Sequence, residues 1–413
     1  MTMNILLTGS AGFLGKNLIQ YLNTLKDGRN KTRPSLHIGD IYEYDINNTY
    51  EELDEYCKKA DWVVNLAGVN RPKDVSEFNE GNFGFASTLL DTLKKHHNTC
   101  PVMLSSSLQA TLAGRFGKSE YGLSKKAGEE LFFDYSKETG AKVYVYRYPN
   151  LVGSGVRPNY NSAVGTFCYN YAHDLPITVS DESVELELLF AADLIEELLD
   201  AMEGHPHRCE YPKTGDVIDG VTYDGLTPRP SDNGRYCYCP VTHKATLGEI
   251  VALLDKFKEH PRTLMAPDFT PDSFEKKLYS MYLSYLPKEK TIFDLKMNVD
   301  NRGSFTELVH TANSGQVSVN VCRPGITRGM HWHVTKMEEF IVVSGKARIR
   351  ERKIGTDEIE EYIVDGSRIQ SVIMKPGFTH EITNIGDIDL ITVMTCNEVF
   401  NPDKPDTFFE KID

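Results

Sequence analysis

No stretch of this chain is apolar for the roughly 20 consecutive residues that a membrane-spanning helix needs, so the sequence predicts no membrane segment. The opening MTMNILLTGSAGFLG has neither the charged region nor the cleavage site of a secretory signal, and its apolar part reads as a buried strand. Positive charge is in short supply. Asp and Glu outnumber Lys and Arg by 59 to 45, for a formal charge of -14. That excludes partners gripped through a broadly basic surface, nucleic acid above all, while leaving room for a locally basic pocket that takes an anionic small molecule. Cysteine is sparse and scattered: there are 8, and only Cys237 and Cys239 lie close together, with no second pair to complete a zinc cluster. With no export signal, the expectation is reduced thiols in a cytoplasmic protein.

What remains is ample for a globular enzyme. The 413 residues, 40% hydrophobic and 25% charged, suit two or three domains, each with its own core. The first begins with the apolar run Asn4–Thr8, followed by Gly9, Gly12 and Gly15 and by a stretch of helical periodicity through Leu22. Glycines at that spacing let the backbone approach a pyrophosphate, and the helix that follows points free N–H groups at it. The strand–glycine–helix context gives weight to a motif that would be weak alone. Phe13 and Leu14 lie within the same turn. Leu66, Ala67 and Gly68 end a later strand candidate and would line the same cofactor site. Further strand candidates at 101–107 and 142–147 alternate with helices, which predicts a doubly wound parallel sheet.

Tyr121 and Lys125 stand four apart, on one face of a predicted helix, so the ammonium is expected to lower the phenol's pKa and let Tyr121 exchange a proton near neutrality. Ser107, with Ser106 as the alternative, would hold a substrate carbonyl against that tyrosine. The acid that grips a cofactor ribose should end the second strand, and Asp40 and Asp45 are the candidates. Arg29, Lys31 and Arg33 precede them and could meet a 2′-phosphate. NADP(H) is the expected cofactor, with NAD(H) the alternative.

Gly9/Gly12/Gly15, Asn65–Gly68, Ser105–Ser107, Tyr121/Lys125, Arg147–Asn150 and Asp193 together resemble the extended short-chain dehydrogenase/reductase family. The resemblance implies a Rossmann domain, a nicotinamide cofactor, action on a nucleotide sugar, and Asn150 on the substrate side. Dehydratases of that family follow the serine or threonine with Asp-Glu. Here Leu108 and Gln109 follow, and neither titrates, so reduction is favoured over dehydration.

Residues 204–244, rich in Gly, Pro, Asp and Tyr, read as an insertion or long loops, and Thr246 with Glu249 has capping-box spacing at the start of a helix. A domain boundary is placed at 286/287, giving a reductase domain at 1–286 and a second domain at 287–413. There, short β-branched strands such as 316–322 and 390–395 alternate with Pro-Gly and Ser-Gly turns, which predicts an all-β barrel or jelly roll. In GMHWHVTKMEEF, His331 and His333 share one face of a strand by simple alternation, Glu338 opens the next strand, and His380 arrives from a distant segment. Three imidazoles and a carboxylate suit zinc or another divalent first-row ion.

Gly325, His331, His333, Glu338 and Gly345, then Gly377, His380 and Asn384, resemble the two motifs of the cupin family. Asp300–Glu307, Gln316–Asn320 and Arg328–His331 also resemble the metal-free dTDP-4-keto-sugar 3,5-epimerases. That resemblance implies proton exchange beside a ketone, with His331 either base or ligand, and Arg302 and Arg328 on the diphosphate. The two halves in one chain, with Asn70–Pro72, Pro158–Asn161, Tyr282–Pro287, Met297–Asp300 and Asp403–Phe408, resemble the CapF-type bifunctional enzymes of capsular polysaccharide synthesis. This implies a cytoplasmic homodimer acting on a UDP-activated 4-keto-amino-sugar on the route to UDP-N-acetyl-L-fucosamine. The cupin would invert C3 and the reductase would reduce C4. A non-catalytic cupin serving dimerisation or sensing, and a metal oxygenase, are the alternatives.

Overall fold

The structure is a computed structural model of the chain, and it describes residues 2–69, 83–268, 270–313 and 315–413. The segment Asn70–Pro72 falls outside these. Two compact units are present: Met1–Val251 with Ser280–Tyr285, and Ala252–Tyr279 with Leu286–Asp413. Residues 252–279 thus group by contact with the C-terminal unit, ahead of the single cut after Leu286 read from the sequence.

The first unit is built on an eight-stranded sheet. Its parallel part runs from the edge strand Ile38–Tyr44 through Met3–Thr8, Trp62–Asn65 and Val102–Ser107 to Val143–Tyr148. Both faces are covered, which is why these strands read as nearly continuous apolar runs. Ile5, Leu7, Val64 and Met103 pack under the helices Phe13–Lys26 and Ala191–Met202. Leu6, Val63, Leu104 and Val145 pack under Phe85–Lys95 and Glu120–Thr139. Order reverses at Met3–Thr8, the crevice where ligands of open α/β sheets bind.

The stretch 204–244 is more than loops. Tyr236–Cys237 pairs in parallel with Val143–Tyr148, and Arg208–Glu210 and Arg229–Pro230 extend that edge antiparallel. Strands of two or three residues leave too little period to read from sequence. The capping box at Thr246 is formed in both directions: Glu249 N–H donates to Thr246 Oγ1 (3.1 Å) and Thr246 N–H to Glu249 Oε2 (2.8 Å).

The C-terminal strands form two antiparallel sheets. One has six strands, with Gly303–His310, Gln316–Cys322, Leu390–Cys396 and Glu338–Ser344 neighbours in that order; the other has five, centred on Lys346–Lys353, Phe378–Asn384 and Thr327–Trp332. Cys322, Phe340, Val342, Ile349, Met374, Ile382 and Leu390 make their core. Every second residue of Gln316–Cys322 is buried, but the buried set is Gln316, Ser318, Asn320 and Cys322, with Val317, Val319 and Val321 half-buried, so this strand turns its polar side chains inward.

Candidate active sites

In the first unit the glycine turn is shaped by close backbone approach. Gly9 has φ +71°, and a Cβ there would sit 2.7 Å from Ala67 N; a Cβ at Gly15 would sit 2.5 Å from Gly9 O. The first position needs a conformation and the second a gap that only glycine offers. Helix Phe13–Lys26 starts at Gly12 without a side-chain cap, so its first N–H groups are left for an anionic ligand such as a pyrophosphate. Leu14 is buried in the core, which leaves it backbone contacts with a ligand in the turn, and Phe13 packs half-buried against that core. Thr8 ties in the neighbouring turn: its hydroxyl donates to Asn65 Oδ1 (2.6 Å), and its carbonyl accepts Leu66 N–H (3.1 Å). Leu66, Ala67 and the exposed Gly68 thereby border the glycine turn.

Of the two ribose candidates, Asp40 sits exposed within its strand, paired with Lys26 at 3.3 Å. Asp45 follows the strand's end, and its carboxylate accepts Ala11 N–H and Ile46 N–H, each at 2.8 Å. Arg33, offered by the sequence as a phosphate ligand, is committed elsewhere. Its guanidinium binds Glu196 (2.6 Å), Glu203 (2.8 Å) and Asp200. Three carboxylates satisfy its donors in a way that local sequence does not foretell. A cleft of about 590 Å³ beside the turn is lined by Ser10, Ala11, Lys16, Arg29 and Glu43.

Tyr121 lies in the first turn of helix Glu120–Thr139, which Ser119 caps by accepting Gly122 N–H at 2.9 Å. Lys125 Nζ donates to Ser105 O (3.1 Å) and stands 5.7 Å from the Tyr121 ring centre. The expected lowering of the phenol is not what the geometry gives. Burial pushes Tyr121 up, and burial also brings Lys125 down to about 8 against the pull of Glu129. Desolvation outweighs the lysine's charge at this separation. Ser106 is spent on structure: its hydroxyl donates to Glu129 Oε1 (2.5 Å), and Glu129 takes two bonds from Arg147, at 2.9 and 2.6 Å. Ser107 is half-buried and accepts only a local bond from Gln109 N–H at 3.2 Å. A Cβ on Gly122 would meet Gln109 O at 2.3 Å, so this glycine lets the Tyr121 helix close on the turn that follows Ser107. Gly122→Ala is therefore expected to cost about 1–3 kcal/mol, by forcing helix and turn apart. Urea unfolding should show it as a lower midpoint. Asn150 directs its amide to Glu187 O (3.0 Å), which fixes the side chain of the predicted substrate residue.

The second constellation lies wholly in the C-terminal unit. One ligand atom from each of His331, His333, Glu338 and His380 falls within 4.8 Å of all the others. Glu338 opens a strand of the six-stranded sheet, whereas His331 pairs with His380 across the five-stranded one. Simple alternation does not account for His331. Register runs Arg328↔Ile382 and Gly329↔Glu381, then skips to His331↔His380. This bulge, with Gly329 at φ +91° and Met330 at φ +63°, inserts one residue and turns His331 onto the inward face shared by Arg328. His333 comes just after the strand and donates from Nδ1 to Asp406 O at 2.6 Å. A carbonyl only accepts, so the proton is on Nδ1 and the Nε2 lone pair is free to bind an electrophile.

Four buried atoms here have no hydrogen-bond partner among the described residues: His333 Nε2, Glu338 Oε2 and both ring nitrogens of His380. Such groups are costly to bury unless something satisfies them. Burial raises the Glu338 carboxyl, but His333, His380 and Lys336 outweigh it and hold the group well below the usual range. Burial, reinforced by His380, lowers His331 to about 4. A neutral His331 beside an ionised Glu338 suits a divalent cation, and the donor set of three imidazoles and a carboxylate fits zinc. By contrast, the grouping of Glu197, Asp200 and His207 is internally satisfied: Glu197 by Tyr146 and His207, Asp200 by Arg33.

Arg302 and Arg328 meet at Asp300, the first at 2.6 Å and the second at 3.3 Å. A pocket of about 320 Å³ opens beside Glu338, lined also by Lys336, Phe305, Glu307, Gln316 and Phe400.

Residues 5–210 match the NAD dependent epimerase/dehydratase family, and residues 298–408 the polysaccharide biosynthesis C-terminal domain. The crystal structure of the capsular polysaccharide assembling protein CapF from Staphylococcus aureus is 43% identical, with a TM-score of 0.82 covering 99% of this chain and 100% of that one. The UDP-2-acetamido-2,6-beta-L-arabino-hexul-4-ose reductase of Pseudomonas aeruginosa is 33% identical over 406 residues, 98% of each chain. The chain belongs to the family of this reductase and CapF. As in other members of the epimerase/dehydratase family, the glycine turn goes with a nicotinamide cofactor. Among the described residues, no helix is long and apolar enough to cross a membrane.

Family membership does not name the supporting residues. Sequence reasoning missed Glu129 and placed Arg147 only within the Arg147–Asn150 resemblance, without the buried ion pair by which the two brace Ser106 one turn from Lys125. Glu129 lies four residues after Lys125 on the same helix, the one signal available. It also missed Lys336, whose ammonium lies 3.2 Å from Glu338 Oε1, and took in Asp406 only as part of Asp403–Phe408, with no role given.

Proposed function

We propose that this chain is a bifunctional nucleotide-sugar enzyme of polysaccharide biosynthesis. Its N-terminal half, extending to residue 286, reduces C4 of a UDP-2-acetamido-2,6-dideoxy-4-keto-hexose. Its C-terminal half, from 287, is a metal-binding cupin that inverts C3 of the same sugar. The product would be UDP-2-acetamido-2,6-dideoxy-L-talose, a precursor of UDP-N-acetyl-L-fucosamine. The observation that carries the two-activity reading is the cluster His331/His333/Glu338/His380, with buried, unpartnered ligand atoms, in a chain that also holds Tyr121, Lys125 and Ser107. The named activity of the Pseudomonas relative, a 4-ulose reductase, supports the first half.

For reduction, the bound nicotinamide supplies the hydride. Ser107 donates to the ketone oxygen and orients it, and Tyr121 delivers the proton as that oxygen gains charge. Lys125 holds the end of the Ser105–Ser107 strand and places a cation beside the phenol. For epimerisation, His331, His333, Glu338 and His380 would hold a divalent ion, which supplies Lewis-acid chemistry at a carbonyl oxygen. Arg302 and Arg328 bind the diphosphate, releasing part of their grip on Asp300. His331 is read as a ligand, because burial keeps it neutral beside the other three groups. Epimerisation of a ketone is nearly balanced, whereas reduction is not. Joining the two draws one epimer forward. A homodimer is part of this reading, on family resemblance.

Between the two nicotinamides, the observations favour NAD(H) over the NADP(H) expected from the sequence. Asp45 is held against the glycine turn, where it would accept from both ribose hydroxyls and repel a 2′-phosphate, and Arg33 is consumed by three acids. Asp45→Ala should weaken NADH binding about tenfold or more and narrow the preference over NADPH, read by fluorescence titration of both cofactors. Wild-type protein that binds NADPH more tightly would point instead to Lys16 and Arg29 across the neighbouring cleft.

The function as a whole is tested by supplying the 4-keto-sugar and reduced nicotinamide to the purified chain. Consumption of cofactor with formation of the C3-inverted alcohol supports it. Reduction without inversion would leave a reductase with a non-catalytic cupin.

A further inference from the structure

The C-terminal segment returns across the four-residue cluster, and its contacts converge on one side chain. The Asp406 carboxylate accepts three successive backbone N–H groups: Val334 at 2.9 Å, Thr335 at 2.8 Å and Lys336 at 2.9 Å. The Thr335 hydroxyl adds a fourth donor at 3.1 Å. The same residue's carbonyl accepts His333 Nδ1–H at 2.6 Å. Asp406 holds φ +37°, outside the comfortable regions for a side-chain-bearing residue, and Phe408–Phe409 pins the segment by pairing with His331 and Trp332. Asp406 thus holds the His333 end and the middle of the turn that joins His333 to Glu338, while Asn397 holds the other end, its Oδ1 accepting Met337 N–H at 2.9 Å. No regular ladder would otherwise fix that turn, because the His331 strand ends at Trp332 and the next begins at Glu338.

We infer that Asp406 is a positioning residue for a metal ion bound by His331, His333, Glu338 and His380, fixing the His333 tautomer through its carbonyl and the turn to Glu338 through its carboxylate. The inference rests on the metal reading above. Groups in this position, hydrogen-bonded to the far nitrogen of a ligating histidine, orient the ring and raise its basicity, and their loss costs about 10–100-fold in metal affinity. Asp406 touches no reacting atom in this account. Its effect is exerted on ligands alone.

The test is zinc affinity of the full chain, measured by competition with a chelator, for wild type, Asp406→Ala and Asp406→Asn, with circular dichroism as the check on folding. Asp406→Ala keeps the backbone carbonyl that meets His333 but releases Val334, Thr335 and Lys336, so the loosened turn is expected to bind zinc about tenfold more weakly, the low end of the range for a lost partner of a ligating histidine. Asp406→Asn keeps the volume and one acceptor oxygen, and should lose less. The metal-free wild type should also show His333 protonated on Nδ1 in its imidazole nitrogen spectrum, a readout that needs no variant. Folded Asp406 variants with wild-type affinity, or a His333 proton on Nε2, would overturn the inference. A wild type that binds no zinc at all would instead remove the metal reading on which it stands.

Discussion

Tyr121→Phe is expected to abolish reduction of the 4-keto-sugar while leaving hydrogen exchange at C3 untouched. The change removes one oxygen from a residue whose helix is anchored independently, by the Ser119 cap and by the fit of Gly122 against Gln109. Fold and cofactor affinity should therefore survive. Ser107 only orients the ketone oxygen, Ser106 is bound into the Glu129–Arg147 pair and Lys125 is turned to Ser105 O, so none of these three replaces Tyr121 as the proton donor. Burial, which pushes the phenol up, keeps Tyr121 protonated until charge develops on the substrate. A loss of about 10²–10⁴-fold in kcat, with little change in nicotinamide affinity, is the expected scale. Loss of C3 exchange in a folded variant would mean that the two reactions share a site, against the division of labour proposed here.

Glu338→Gln carries the second large effect. The substitution conserves shape and removes the only carboxylate in a cluster of three imidazoles. In the wild type that carboxylate is held well below its usual range by His333, His380 and Lys336, against the opposing effect of burial. A neutral amide cannot balance a divalent ion there. Stoichiometric metal, measured by elemental analysis after gel filtration, should fall from about one per chain to near zero. C3 exchange should fall with it. Reduction of an already inverted ketone should continue, since Tyr121, Lys125 and Ser107 belong to the other unit. Retention of both metal and exchange would show that Glu338 is not a ligand.

The parallel sheet was legible because its strands are buried on both faces and its glycines sit where the backbone must pass close, as at Gly9 and Gly15. The strand Gln316–Cys322 was legible from its β-branched residues and the turns around it, but its inward face was not: Gln316, Ser318 and Asn320 are buried, while the three valines between them are half-buried. The four clustered residues were found from residue type and spacing, but the reason given for His331 was incomplete. A bulge, invisible to a period-two count, places it inward. Arg33 was misjudged because its partners lie more than 160 residues away. The effect of Lys125 on Tyr121 was misjudged because spacing on a helix gives proximity and says nothing of desolvation. Residues 204–244 were read as an insertion or long loops because the strands within them, two or three residues each, carry no period. Asp406 lay beyond any local pattern, since its role depends on a chain reversal of some seventy residues.

The most direct measurement is solvent-deuterium uptake at C3 of the UDP-linked 4-keto-sugar, by zinc-loaded wild-type chain with no nicotinamide present. The account predicts incorporation that stops when the metal is stripped and returns when it is restored. A zinc-loaded protein that reduces the ketone yet leaves C3 fully protonated would contradict it.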